Sequence, residues 1–214
     1  MMKYKAVIFD LDGVIVSTDD CHFMGWKKLA DDEGIYFDRK INERQRGVSR
    51  MESLDVLLEK AEKKYTDEEK LEMATRKNEY YKEFIKDLSE NDILPGVMDF
   101  TKKLRDMGVK LAIGSSSKNT PAILKNIGLD TYFDAVADGN DISKSKPDPE
   151  VFLVAAKKLG IDPKDCLVVE DADAGVAAAL AGGMDVIGVG SASTNPKATY
   201  HFENLAAADI SALA

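Results

Sequence analysis

The 214-residue chain carries 38 acidic against 29 basic side chains, a formal net charge of -9. A surface of that sign repels nucleic-acid phosphates and argues against a nucleic-acid partner. Two cysteines, Cys21 and Cys166, have neither metal-type spacing nor the look of a disulfide framework, and no apolar run reaches membrane-spanning length.

The start of the chain, Met1-Met2-Lys3-Tyr4-Lys5, is basic, but the apolar run that follows ends at Asp10. A secretory signal is therefore not expected, and a cytoplasmic location without a membrane partner is the expectation. Lys5-Ala6-Val7-Ile8-Phe9 is β-prone and stops at Asp10-Leu11-Asp12-Gly13. It reads as a buried strand with polar groups at its C-terminal end. Residues 17–90 are helical in character, rich in Glu, Lys, Leu and Ala with few β-branched runs. Within them Ser49 and Glu52 form a capping-box pattern that opens a helix toward Ala61. Thr66-Asp67-Glu68-Glu69 opens a longer, charged helix toward Leu88.

After the Pro95-Gly96 turn the pattern returns to strands. Val109–Ile113 ends in Gly114-Ser115-Ser116-Ser117, Asp165–Val169 ends in Glu170-Asp171, and Met184–Val189 is a fourth run. Helical patterns at 97–107, 119–127, 149–159 and 173–182 alternate with them. This alternation predicts an α/β fold, a Rossmann-like parallel sheet covered on both faces. The core would comprise residues 1–16 and 91–214, with 17–90 inserted as a helical cap over the strand ends. Beyond Gly190, Ala198–Phe202 reads as an edge strand and Glu203–Leu213 as a final helix.

Ligands gather at the carboxyl ends of parallel strands, and three of the four strand ends here are rich in reactive side chains. Asp10 and Asp12, in the turn after a strand, can both point at one site. If Glu170 and Asp171 join them, four acids meet, and they stay ionised together only around a cation. Hard oxygen donors with room for water and phosphate suit Mg²⁺. Taken singly, each pair has a plainer reading, a solvated turn for the first and a helix N-cap for the second. Their coincidence at matching strand ends favours the metal site. Ser115–Ser117, ahead of Asn119-Thr120-Pro121, offers hydroxyls and helix N-terminal N–H groups to an anion, or else simply caps the helix. Lys146 precedes Pro147, which favours an extended backbone, and can act as a point charge for phosphate or lie in a loop.

These segments carry a family resemblance. Phe9-Asp10-Leu11-Asp12-Gly13-Val14, Ser115, Lys146-Pro147-Asp148-Pro149 and Glu170-Asp171-Ala172-Asp173-Ala174-Gly175 resemble, in order and across nearly the whole chain, the four signature motifs of the haloacid-dehalogenase superfamily. Asp12 resembles the phosphotransferase branch, because the dehalogenases lack that second acid. His22, Trp26, Gly47-Val48-Ser49-Arg50, Lys77-Asn78 and Ser117-Lys118-Asn119 are similar to the β-phosphoglucomutase family in particular.

The resemblance implies an aspartyl-phosphate enzyme that interconverts β-D-glucose 1-phosphate and D-glucose 6-phosphate through glucose 1,6-bisphosphate, and acts on a small sugar phosphate as a monomer. Asp10 would be the nucleophile and Asp12 the proton shuttle. Mg²⁺ would be held by the Asp10 carboxylate, the Asp12 backbone carbonyl, Glu170 and Asp171. Ser115 and Lys146 would neutralise the transferring phosphoryl group. Arg50, Ser117, Lys118 and Asn119 would clamp the distal phosphate, and Ser17 and Thr18 would form a hinge. His22, Trp26, Gly47, Val48, Ser49 and Lys77 would serve substrate choice from the cap.

Several of these have structural alternatives. Phe23, Trp26 and Leu29 form an apolar stripe, Ser49 is explained as an N-cap, His22 and Lys77 could be ordinary surface groups, and Arg50 sits where a cation opposes the helix dipole. Two positions depart from the pattern. Ser17 stands where an acid is usual, and Ala172 where a small hydroxyl residue is common. The rival functions are a sugar-phosphate or phosphoglycolate-type phosphatase on the same scaffold, and a non-catalytic phosphosugar-binding protein.

Overall fold

The computed structural model describes residues 3–45 and 48–213. Strand β1 (Ala6–Phe9) is followed by four helices, α1 (Asp19–Glu33), α2 (Arg39–Glu43), α3 (Arg50–Leu58) and α4 (Asp67–Ile85). Then come α5 (Val97–Asp106), β2 (Lys110–Gly114), α6 (Thr120–Asn126), β3 (Ala135–Ala137) and α7 (Glu150–Leu159). The chain continues through β4 (Cys166–Glu170), α8 (Asp173–Ala181), β5 (Asp185–Gly188) and β6 (Tyr200–His201). Residues Met1–Ser17 with Ser89–Ala214 form one compact unit, and Thr18–Leu88 form a second.

In the first unit the six strands make one sheet in the order β3-β2-β1-β4-β5-β6, and each pair is parallel. Every residue of β1 and β4 is buried, as expected when both faces are covered. The period of two sends Ala6 and Ile8 to one face, where they join Phe152 of α7 and Val176 of α8. On the opposite face the Phe9 ring meets Phe100 of α5 edge-on, with centroids 6.3 Å apart. The chain runs outward from β1 through β2 to β3, then returns to β4 on β1's other side. That reversal opens a crevice at the carboxyl ends of β1 and β4, where open α/β sheets bind ligands.

The second unit is all helical. Its helices start where the sequence offers caps. Ser49 and Glu52 close a capping box on α3, Thr66 and Glu69 close one on α4, and the Asp38 side chain accepts from Ile41 N at α2. Gly34 ends α1 in a left-handed conformation. Trp26 and Leu29 of α1, Leu54 and Leu57 of α3, and Met73 of α4 are buried together.

Three expectations are corrected. Strand β3 was not foreseen, because three residues at a sheet edge are too short to show a period. The helices opened by Ser49 and Thr66 stop at Leu58 and Ile85, short of Ala61 and Leu88. The expected helix over Glu203–Leu213 is absent, and only Ile210–Leu213 forms a single 3-10 turn. Local side-chain bonds hold the backbone elsewhere there. Asn204 Oδ1 accepts from Ala207 N at 3.1 Å, and Asp209 Oδ1 accepts from Ser211 N at 2.8 Å. The Ala206 backbone also lies against Gly96, so close that a Cβ at Gly96 would be 2.2 Å from Ala206 N.

Candidate active site

The sheet register brings the acidic motifs together. Phe9 lies beside Ile113 on one flank and Val169 on the other. Asp10 therefore leaves β1 next to Glu170, and its N–H still donates to Val169 O at 2.9 Å. Lys146 donates its ammonium to both Asp10 Oδ1 and Glu170 Oε1, with its Nζ 4.7 Å from the centre of the Phe152 ring. The Lys146–Pro147 bond is cis. Asp10, Glu170 and Asp171 each present a carboxylate oxygen, all within 4.8 Å of one another.

Three buried or half-buried carboxylates thus face one ammonium. Burial, and then the Asp10 charge, push the Glu170 carboxyl up to about 7 against the pull of Lys146. Burial, Asp10 and Glu170 push Asp171 up to about 8. At Lys146, burial works against the charge, but the Asp10 and Glu170 carboxylates outweigh it and raise its pKa. A cluster that retains protons near neutrality carries more negative charge than its protein partners balance. A hard divalent cation would balance it, and the all-oxygen donor set fits Mg²⁺.

Two glycines make the cluster possible. Glu170 Oε2 accepts from the N–H groups of Asp171 and Ala172, at 3.0 and 3.1 Å, so its carboxylate lies over the start of α8. A Cβ on Gly175 would sit 1.9 Å from Glu170 Cδ. Gly13, at φ 77°, does the same for Asp171, because a Cβ there would be 2.2 Å from Asp171 Oδ2. The loop after Asp10 is tight, with Leu11 O accepting from Ile15 N and Val16 N, and Gly13 N donating to Val16 O at 2.9 Å. Half-buried Asp12 lies in that loop, bridged to Val16. Its side chain is outside the set of three close carboxylates.

The serine loop follows β2. Ser115 is 2% exposed, and its Oγ accepts from Ser117 N at 3.2 Å. Ser117 Oγ accepts from Asn119 N at 3.2 Å. Both hydroxyls therefore brace their own backbone while keeping an O–H to donate. Lys118 is exposed and Asn119 buried. A Cβ on Gly139 would be 2.4 Å from Ser116 O, so the turn after β3 packs directly on this loop.

In the helical unit, His22 Nδ1 lies 2.9 Å from Lys77 Nζ. Lysine can only donate, so His22 Nδ1 is the acceptor and the ring proton is on Nε2. Burial, Lys77 and Arg50 hold the His22 pKa well below the ordinary value, which keeps the imidazole neutral. The Lys77 ammonium also sits over the rings of Trp26 and Tyr81, at 4.8 and 4.7 Å. It is 3% exposed, so the expectation of a possible surface lysine fails. Gly25 lies close by, where a Cβ would be 3.3 Å from Lys77 Cε. Arg50 donates to Asn78 Oδ1 at 2.9 Å. Trp26 is packed in the core of its unit and Ser49 is engaged in its capping box. Val48 is exposed, and Gly47 lies outside the described residues. Ser17, exposed, and Thr18, buried, flank the division between the units.

A model of the haloacid dehalogenase-like hydrolase family matches residues 4–183. The chain belongs to that family. Among its relatives is a beta-phosphoglucomutase of Bacillus subtilis (strain 168), 45% identical over 188 residues, covering 87% of this chain and 83% of the relative. The crystal structure of a beta-phosphoglucomutase from Clostridium difficile superposes with a TM-score of 0.89 at 40% identity, covering 98% of this chain and 95% of that one. A phosphorylated carbohydrates phosphatase of Thermotoga maritima is 32% identical over 186 residues, covering 86% of this chain and 83% of the relative.

Within this family member, sequence reasoning missed the space-making roles of Gly13 and Gly175, and Phe152 beneath Lys146. Gly175 left a signal, since a glycine three residues into a helix costs stability and needs a packing reason. Phe152 left none, because an aromatic in an apolar helix reads as core.

Proposed function

We propose that this chain is a β-phosphoglucomutase, an enzyme that interconverts β-D-glucose 1-phosphate and D-glucose 6-phosphate. One observation carries the reading. The Asp10, Lys146, Glu170 and Asp171 cluster sits in a chain 45% identical to the Bacillus subtilis beta-phosphoglucomutase over 87% of its length.

In this reading an Asp10 oxygen attacks phosphorus, and the bond to the leaving oxygen breaks to give an aspartyl phosphate. Asp12 protonates the leaving oxygen and later takes the proton of the attacking sugar hydroxyl. Lys146 neutralises two carboxylates in the resting site, and it would turn one donor to a phosphoryl oxygen as Asp10 is consumed. Ser115, whose O–H stays free to donate, supports a second oxygen. A Mg²⁺ ion held by Asp10, the Asp12 carbonyl, Glu170 and Asp171 would spread the phosphoryl charge.

A mutase returns its phosphoryl group to a sugar hydroxyl rather than to water. Glucose 1,6-bisphosphate is the intermediate that allows this, bound in either orientation. Its second phosphate would fall to Arg50 of the helical unit and to Ser117, Lys118 and Asn119 of the sheet unit. In this reading the helical unit would serve as a cap and Ser17-Thr18 as its hinge. His22 and Lys77 would orient the sugar.

The test supplies β-glucose 1-phosphate, Mg²⁺ and a trace of glucose 1,6-bisphosphate. Glucose 6-phosphate formed without stoichiometric phosphate release supports the mutase. Phosphate release without isomerisation would assign the chain to the phosphatase reading that its Thermotoga relative represents.

A further inference from the structure

Asp171 is the least buried of the three clustered carboxylates. Helix α8 starts at Asp173, and its cap residue, Ala172, has no side-chain acceptor for the first N–H groups. A separate segment supplies the restraint. After β5 the chain turns at Gly190, at φ 52°, and forms a 3-10 turn over Gly190–Thr194. Two donors from that turn converge on one acceptor. Ser191 Oγ and Ala192 N, the latter at 2.9 Å, both donate to the Asp171 carbonyl. Next, Asn195 Nδ2 donates to Asp173 Oδ1 at 2.7 Å, while Asn195 Oδ1 accepts from Lys197 N at 2.9 Å.

The turn itself is braced. Ser193 Oγ donates to Gly190 O at 2.6 Å, and Gly190 N donates to Glu203 O at 2.9 Å. Val189 N donates to Glu170 O at 2.8 Å. The acidic pair is therefore pinned by its main chain, residue by residue, from the end of β5. Gly188 permits the close approach, since a Cβ there would meet Ala192 O at 2.2 Å.

We propose that Ser191 and Asn195 are positioning residues for the cation ligand Asp171, holding its carbonyl and the first residue of α8 by donated hydrogen bonds. They act through the main chain and through Asp173. They fix the carbonyl before Ala172 and the first residue of α8, so the Asp171 side chain keeps its place beside Asp10 and Glu170. The inference rests on the reading of that cluster as a Mg²⁺ site. Groups that orient a metal ligand from outside commonly change affinity by about 10–100-fold.

The experiment measures Mg²⁺ binding to the substrate-free protein by calorimetry, for wild type, Ser191→Ala, Asn195→Ala and the double variant. Thermal midpoints without Mg²⁺ are recorded alongside. The double variant is expected to weaken Mg²⁺ about tenfold. The Mg²⁺ activation constant of turnover should rise by the same factor, while kcat at saturating Mg²⁺ stays within about twofold. Ser191→Thr, which keeps the hydroxyl that donates to the Asp171 carbonyl, should bind as wild type does. Unchanged Mg²⁺ affinity in the double variant overturns the positioning role while leaving the metal site standing. A wild-type protein that binds no Mg²⁺ overturns both. If the double variant does not fold, the single variants and Ser191→Thr decide on the same criteria.

Discussion

Replacing Gly175 with alanine tests the architecture of the acidic cluster from outside it. A Cβ at this position would lie 1.9, 2.0 and 2.3 Å from Glu170 Cδ, Oε1 and Oε2. Ordinary contact needs about 3.5 Å, so the carboxylate has to move by about 1.5 Å. Such a shift breaks its bonds from the Asp171 and Ala172 N–H groups and disturbs the pairing with Lys146. Hydrogen bonds to a charged acceptor contribute about 1.5–3 kcal/mol each. Losing two outweighs the roughly 1 kcal/mol that alanine gains over glycine in a helix. The net loss is about 2–5 kcal/mol, or roughly 5–15 °C in thermal midpoint for a unit of this size, with weaker Mg²⁺ binding. Thermal unfolding and Mg²⁺ titration measure both. In a Glu170→Ala background the obstacle is gone, and the same substitution should stabilise by about 1 kcal/mol. A raised midpoint with normal Mg²⁺ affinity in the Glu170-containing protein would refute the reasoning.

The raised carboxyls set a pH dependence. Glu170 at about 7 and Asp171 at about 8 lie above their unfolded values. Their contribution to the stability of the metal-free protein is complete below the unfolded carboxyl pKa, about 4, and is lost as pH rises through 7 and 8. Added Mg²⁺ competes with those protons, so its stabilisation should grow between pH 6 and 8.5, and its affinity by up to about tenfold per pH unit for each proton displaced. A Mg²⁺-induced midpoint shift that is flat or shrinks across that range would contradict this. Asp10→Asn should abolish the acid-stable, base-labile phosphoenzyme and lower turnover on the order of a thousandfold or more, and phosphorylation retained at another residue would displace the nucleophile. Arg50→Ala should lower mutase turnover by about 100-fold. Phosphoenzyme formation from acetyl phosphate should change little, and equal loss in both assays would remove Arg50 from the distal phosphate.

The sheet was legible because β1, β2, β4 and β5 are short, apolar and separated by helical patterns, the form that burial on both faces imposes on a sequence. The acidic cluster was legible for a related reason. In a parallel sheet, polar residues that end two adjacent strands must be neighbours, so Asp10 and Glu170 needed only the right strand order to meet. What stayed hidden depended on approach distances rather than residue type. Lys146 is placed at the phosphoryl site by resemblance, but its bonds to Asp10 and Glu170 appear only once its loop is folded across the strand ends. Lys77 reads as one more charge on α4 until α1 packs against that helix and its ammonium lies over Trp26 and Tyr81. The segment over 203–213 resembled a helix because Leu and Ala dominate it, but Asn204 and Asp209 capture its backbone first.

An acidic protein that handles phosphate faces an electrostatic difficulty, and the cluster suggests how it is met. Three fully ionised carboxylates against one lysine would leave two negative charges uncompensated, which is why Glu170 and Asp171 retain protons near neutrality. With protons as the only counter-charge, Lys146 stays drawn to Asp10 and Glu170, so the nucleophile is occupied and an incoming phosphate meets repulsion. A divalent cation held by Asp10, Glu170 and Asp171 would balance that excess, and Lys146 would then be free to turn from Asp10 to a phosphoryl oxygen without exposing a buried anion. The chain's net charge of -9 is thus compatible with an anionic substrate, since the attraction is assembled locally and only when the cation is bound. This order of events predicts that phosphate analogues bind the Mg²⁺-free protein weakly and that Mg²⁺ and phosphate strengthen each other's binding by an equal factor, as linkage requires. Titrating each in the presence and absence of the other measures both factors. Independent binding of the two would mean that Lys146 does not move between carboxylate and phosphate.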